Sequence, residues 1–135
     1  MINKIFVNLP VKDLKRSMSF FSSLGFTFNK QFTNEDAACL VISSEIYAML
    51  LTEKFFKSFI KKGIADSSKV TEVITALNGD SRAEVDALLE KALKAGAKEY
   101  REAEDHGWMY GRAFEDLDGH LWEVGYMDPS HVEPT

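Results

Sequence analysis

The sequence predicts an α+β fold made of two tandem βαβββ modules. Three observations carry that expectation. Strand-like alternation of apolar residues precedes and follows each of two amphipathic helical segments. Both helical segments end in a glycine, Gly25 and Gly96, 71 positions apart (96 − 25). Few identities survive between the halves, so the repeat is one of architecture. A module with one helix would leave a sheet face bare. Two such modules therefore predict a pair of cupped mixed sheets around a shared hollow, where small ligands bind.

The elements follow in order. Ile5–Val11 alternates as a strand, and Pro10 belongs near its end because proline donates no ladder hydrogen bond. Asp13 caps a helix whose apolar positions are Leu14, Met18 and Phe21, with Phe20 and Leu24 alongside. Gly25 stops it. Phe26–Phe28 is a short strand, residues 31–36 form a polar turn, and Ala37–Ile42 and Ile46–Thr52 are strands joined at Ser43-Ser44-Glu45. Residues 54–69 are the expected linker between modules 1–53 and 70–128. They include Phe55, Phe56, Phe59, Ile60 and Ile64 among lysines, spaced as an amphipathic helix ending at Gly63. These apolar groups need burial as a lid, against a second subunit, or within one chain.

In the second module Glu72–Leu77 reads as a strand. Asp80 or Ser81 caps a helix, with Glu84 at capping-box spacing from Ser81. Val85, Leu88, Leu89 and Leu93 line one side of it, and Gly96 ends it. Lys98–Arg101 is a strand, followed by a polar loop through His106. Trp108–Glu115 and His120–Tyr126 are strands joined by Asp116-Leu117-Asp118-Gly119, where Gly119 supplies a positive φ.

Composition excludes several function classes. The chain has 135 residues, 45% of them hydrophobic, and a formal net charge of −5, so it lacks the basic surplus that nucleic acid or an anionic membrane requires. Its one cysteine, Cys39, forms no internal disulfide and builds no thiolate zinc site. No apolar run is long enough to span a bilayer and no signal-peptide pattern is present, which makes the cytoplasm the expected compartment.

Two segments resemble the vicinal oxygen chelate superfamily, which includes glyoxalase I, bleomycin-resistance proteins, extradiol dioxygenases and fosfomycin-resistance enzymes. One is Val7-Asn8-Leu9-Pro10-Val11-Lys12-Asp13-Leu14-Lys15-Arg16-Ser17, continuing through Phe20-Phe21 to Leu24-Gly25-Phe26. The other is Phe114-Glu115-Asp116-Leu117-Asp118-Gly119-His120-Leu121-Trp122-Glu123-Val124. Cap and turn roles account for Asp13, Gly25, Asp118 and Gly119 without any chemistry. The resemblance implies the glyoxalase-like fold, a homodimer, and a divalent metal held by ligands on the first and last strand of each module.

Carried over position by position, those ligand sites fall on Phe6, Leu50, Ile74 (or Glu72 if the register slips by two) and Glu123. Only Glu123 is retained, so no metal and no other cofactor is expected. His106, His120 and His131 are assigned solvated or structural roles.

The candidate pocket is Phe6, Asn8, Leu50, Ile74, Trp108, Tyr110, Arg112 and Glu123. Leu121 and Gly125 share Glu123's face, and Ile74 and Ala76 of the second module should lie on the cavity side. An inward Glu123 needs a partner, either Arg112 or a proton. Trp108, Tyr110 and Arg112 share one face, suited to an anionic or planar ligand, or to packing.

Two functional expectations follow. The first is a metal-free, dimeric protein binding a small organic molecule, as bleomycin-resistance proteins do. The second is a metal-dependent or Glu-based lyase or isomerase of the lactoylglutathione lyase type. There Glu123 would be the catalytic base and Arg112 or Tyr110 would steady an enolate. A structural or interaction module is the third possibility if the hollow is filled.

Overall fold

A computed structural model describes residues 1–131. The chain forms two compact units that divide between Asp66 and Ser67, inside the expected linker. Each is a βαβββ module carrying one four-stranded mixed sheet.

The first unit contains strand β1 (Ile5–Val11), helix α1 (Leu14–Ser23), β2 (Thr27–Asn29), β3 (Ala37–Val41) and β4 (Ile46–Thr52), in sheet order β1-β4-β3-β2. β1 runs parallel to β4, and the other pairings are antiparallel. Asp13 caps α1 by accepting from the Arg16 N–H at 3.1 Å. The helix ends at Leu24, and Gly25 takes φ +100°, a conformation costly for any residue with a side chain. A 3-10 turn at Lys30–Phe32, capped by Asn29, occupies the start of the expected polar turn.

The linker segment differs from the sequence expectation. Helix α2 covers only Glu53–Lys57, capped by the Thr52 hydroxyl, and packs against β1 and β4. Beyond it, Ser58, Phe59 and Ile60 donate to carbonyls three residues back rather than four. The Ser58 hydroxyl bonds the Phe55 carbonyl, offering the backbone a competing partner. Phe55 and Phe59 still meet edge to face despite this tightening, with ring centroids 5.0 Å apart.

The second unit contains β5 (Ile74–Asn78), α3 (Arg82–Lys94), β6 (Lys98–Asp105), β7 (Met109–Glu115) and β8 (Leu121–Met127), in sheet order β5-β8-β7-β6. Ser81, not Asp80, is the N-cap of α3, and Glu84 reaches back to the Asp80 N–H at 2.8 Å. Val85, Leu89 and Ala92 of α3 are buried, as are Phe114, Trp122 and Val124 of the sheet. β6 runs four residues longer than expected and carries irregularities around Arg101 that re-aim its side chains.

The β7–β8 hairpin turn is built around Asp116. Its Oδ1 accepts from the Asp118 and His120 backbone N–H groups, and its Oδ2 accepts from Trp122 Nε1 at 2.9 Å. Gly119 is obligatory there. It holds φ +89°, and a Cβ would stand 2.5 Å from the Ser67 carbonyl oxygen. The Ser67 hydroxyl in turn donates to the Asp118 carbonyl.

Candidate functional site

Strand register decides which side chains can cooperate, because register partners project from the same face of a sheet. In the second unit α3 covers one face. Tyr110 and Arg112 lie on that side. The Tyr110 hydroxyl donates to Asp86 at 2.7 Å, and Arg112 bonds Asp86, Glu90 and Glu99. The Asp86 carboxylate raises the Tyr110 pKa by accepting its proton donor, and the same bond lowers the pKa of Asp86. Arg112 remains a fixed cation, its acids outweighing the cost of its burial. Trp108 lies just before β7 and stacks on His131, with centroids 4.4 Å apart.

Glu123 projects from the opposite face, away from α3. Its partner is Arg101, not Arg112: the Arg101 guanidinium donates directly to the Glu123 carboxylate. Ala113 makes this possible. It is the register partner of Arg101 on β6 and of Glu123 on β8, and its single methyl lets the two long side chains meet across β7. Ala76 completes that row on β5.

The next row is Glu104, Gly111, Gly125 and Asn78. Its two central positions have no side chains. A trough therefore runs between the Arg101–Glu123 row and Met109 paired with Met127. Its volume is about 230 Å³, with Glu104 and Asn78 at its ends. A Cβ on Gly111 would meet nothing closer than 3.9 Å, so the space above Gly111 is open, whereas a Cβ on Gly125 would meet Asn78 Oδ1 at 3.2 Å.

In the first unit Phe6 stacks on Tyr47, its register partner, at 4.7 Å between centroids. Asn8 shares their face and donates to the Phe6 carbonyl. Leu50 is buried on the other face, in register with Leu9 and Ala38. Phe6 and Leu50 thus cannot belong to one site. The correction is one of parity: the β4 residues sharing Phe6's face are Tyr47, Met49 and Leu51. Ile74 shares Glu123's face but lies half-exposed, two residues along the strand from Ala76. Glu72 precedes β5.

A resident divalent metal would need several converging lone-pair donors. Phe6, Leu50 and Ile74 have none, and the Glu123 carboxylate is bonded to a guanidinium. Among the described residues no three His, Cys, Asp or Glu side chains gather as a metal set. The donor set does not fit the metal that this fold holds elsewhere. Sequence reasoning overlooked Arg101, Glu104, Asn78, Met109 and Gly111. Strand parity carried the signal for Gly111, which lies two residues from Ala113 on one face.

Comparison with known proteins agrees with this architecture. The sequence profile of the Glyoxalase/Bleomycin resistance protein/Dioxygenase superfamily matches residues 3–124. The chain belongs to that superfamily. Among solved structures, this superfamily member is similar to a hypothetical protein from S. aureus, at 28% identity and TM-score 0.79, covering 93% of this chain and 94% of that one. A glyoxalase-related enzyme from Fulvimarina pelagi shares 20% identity at TM-score 0.79, covering 93% and 88%. Fosfomycin resistance protein FosX from Mesorhizobium loti shares 16% at TM-score 0.69, covering 97% and 98%. The last two similarities speak to fold alone. No curated protein matches significantly. No helix among the described residues is long and apolar enough to cross a membrane.

Proposed function

We propose that this superfamily member binds a small organic molecule in the trough on the exposed face of its second sheet, without a divalent metal at Glu123. The observation that supports the reading is the Gly111–Gly125 floor. Two facing glycines leave a gap in the side-chain layer between a polar row, Arg101 with Glu123, and an apolar row, Met109 with Met127. A site with an apolar wall and few oriented polar groups is the usual make-up of a small-ligand pocket. The adaptable methionine side chains suit ligands of varied shape.

The lyase reading has less to stand on. Its proposed enolate stabilisers, Tyr110 and Arg112, are engaged with Asp86 on the α3 side of the sheet, opposite Glu123. Dimerisation and a cytoplasmic location remain part of the proposal, on the family's habits and the sequence alone.

The test combines metal analysis with ligand screening. Protein purified without chelator should carry far less than one equivalent of zinc, nickel, iron or manganese. A fragment library followed by ¹⁵N NMR should shift the Gly111 and Gly125 amides, and Gly111→Val should abolish those shifts while leaving the fold intact. Stoichiometric metal, or hits indifferent to Gly111→Val, would remove the proposal.

A further inference from the structure

We infer that the occupant of the trough is a small organic cation: an ammonium on an apolar body. This rests on the reading of the trough as a binding site and names the chemistry it selects. Four charged residues border the space, Arg101, Glu104, Arg112 and Glu123, and of these the Arg112 guanidinium is turned to its acids on the α3 side, which leaves Arg101, Glu104 and Glu123 to set the charge of the trough. The one guanidinium stands between both carboxylates. It bonds Glu123, and its Nε is 3.5 Å from Glu104 Oε1. One cation facing two anions leaves the trough with a surplus negative charge. Arg112 does not correct it, because its guanidinium is held by Asp86, Glu90 and Glu99 on the α3 side.

The neutral groups point the same way. Asn78 Oδ1, a carbonyl oxygen, stands 3.2 Å from the place a Gly125 Cβ would take, overhanging the floor. The sulfurs of Met109 and Met127 offer polarisable electron density to a cation and apolar surface to its body. An anionic ligand at Arg101 would stand beside the Glu104 and Glu123 carboxylates that already face that guanidinium, and would be repelled by both. An ammonium can instead join the carboxylates as a second donor, which costs no existing ion pair. His106 is also close, with its Nε2 3.7 Å from Glu104 Oε2.

The experiment uses three probes of equal length: n-hexylammonium, hexan-1-ol and hexanoate. Each is titrated into the full-length ¹⁵N-labelled protein at low salt, following the Gly111 and Gly125 amides. The ammonium should bind about tenfold or more tighter than the alcohol, with hexanoate weaker still. Glu104→Gln should erase most of the preference for the ammonium while leaving alcohol binding unchanged, and Gly111→Val should abolish all binding. If hexanoate moves these amides as strongly as hexylammonium, the cation inference is overturned and the small-molecule reading stands. If none of the probes moves them, or if Gly111→Val changes nothing, the binding-site reading fails and the inference fails with it.

Discussion

Arg101 and Glu123, 22 residues apart, meet across Ala113, the strand residue in register with both. Each side chain is about one-third exposed, at 34%. A pair of that exposure is expected to couple by about 0.5–1 kcal/mol, more than a fully solvated pair and less than a buried one. A double-mutant cycle with Arg101→Met and Glu123→Gln, read by urea unfolding, should return that coupling. Enlarging Ala113 to Leu should lower it by wedging the two apart. A cycle giving no coupling would show that the two side chains do not hold one another in solution.

Two glycines with similar backbones should respond differently to a methyl group. Gly25 and Gly119 both hold positive φ, but a Cβ at Gly25 meets nothing within 4 Å, whereas at Gly119 it meets Ser67 backbone atoms from 2.5 Å outward. Gly25→Ala should cost about 1 kcal/mol, the left-handed strain alone. Gly119→Ala should cost about 2 kcal/mol or more, because backbone must also move. Equal losses in thermal unfolding would contradict the close approach of Ser67.

Asp116 accepts three N–H groups in the β7–β8 turn. Asparagine keeps one acceptor oxygen and turns an NH₂ toward either the backbone pair or Trp122 Nε1, so at least one buried donor loses its partner. Asp116→Asn should destabilise by about 1–3 kcal/mol. The fluorescence of buried Trp122 reports the unfolding directly. Retained stability would mean that the turn is held by Gly119 and Ser67 alone.

Much of this fold was legible because local rules and global burial agree. Ile5–Val11, Leu14–Ser23 and Ile46–Thr52 fall where alternation, the Asp13 cap and Gly25 place them. Arg101 was not legible. It lies at an irregularity in β6, and its link to Glu123 exists only through the pairing of three strands. Tyr110 and Arg112 were correctly grouped on one face, but alternation does not say which face a helix covers. Phe114, buried and in phase with both, was the available signal. Phe6 and Leu50 were joined by motif likeness, which does not preserve parity when a register partner is misjudged by one residue. The 54–69 segment reads as a helix by spacing, yet it tightens after Lys57 where the Ser58 hydroxyl competes for a backbone carbonyl.

The Tyr110–Asp86–Arg112 cluster sets a pH dependence with two arms. Asp86 is held below its usual carboxyl range, first by the Tyr110 hydrogen bond and then by Arg112. A depressed folded-state value gives stability that is present above the unfolded pKa and lost as pH falls through the folded one. Tyr110 is raised above the usual phenol value, first by its bond to Asp86 and then by burial. A raised value gives stability that is fully present below the unfolded pKa, about 10, and lost as pH rises through the folded one. Asp86→Asn should therefore flatten the acid arm and weaken the alkaline arm together. In an ultraviolet titration of the four tyrosines, the last to ionise should shift toward the others in the variant. A last tyrosine that keeps its position in Asp86→Asn would show that burial, and not the carboxylate, holds the Tyr110 proton.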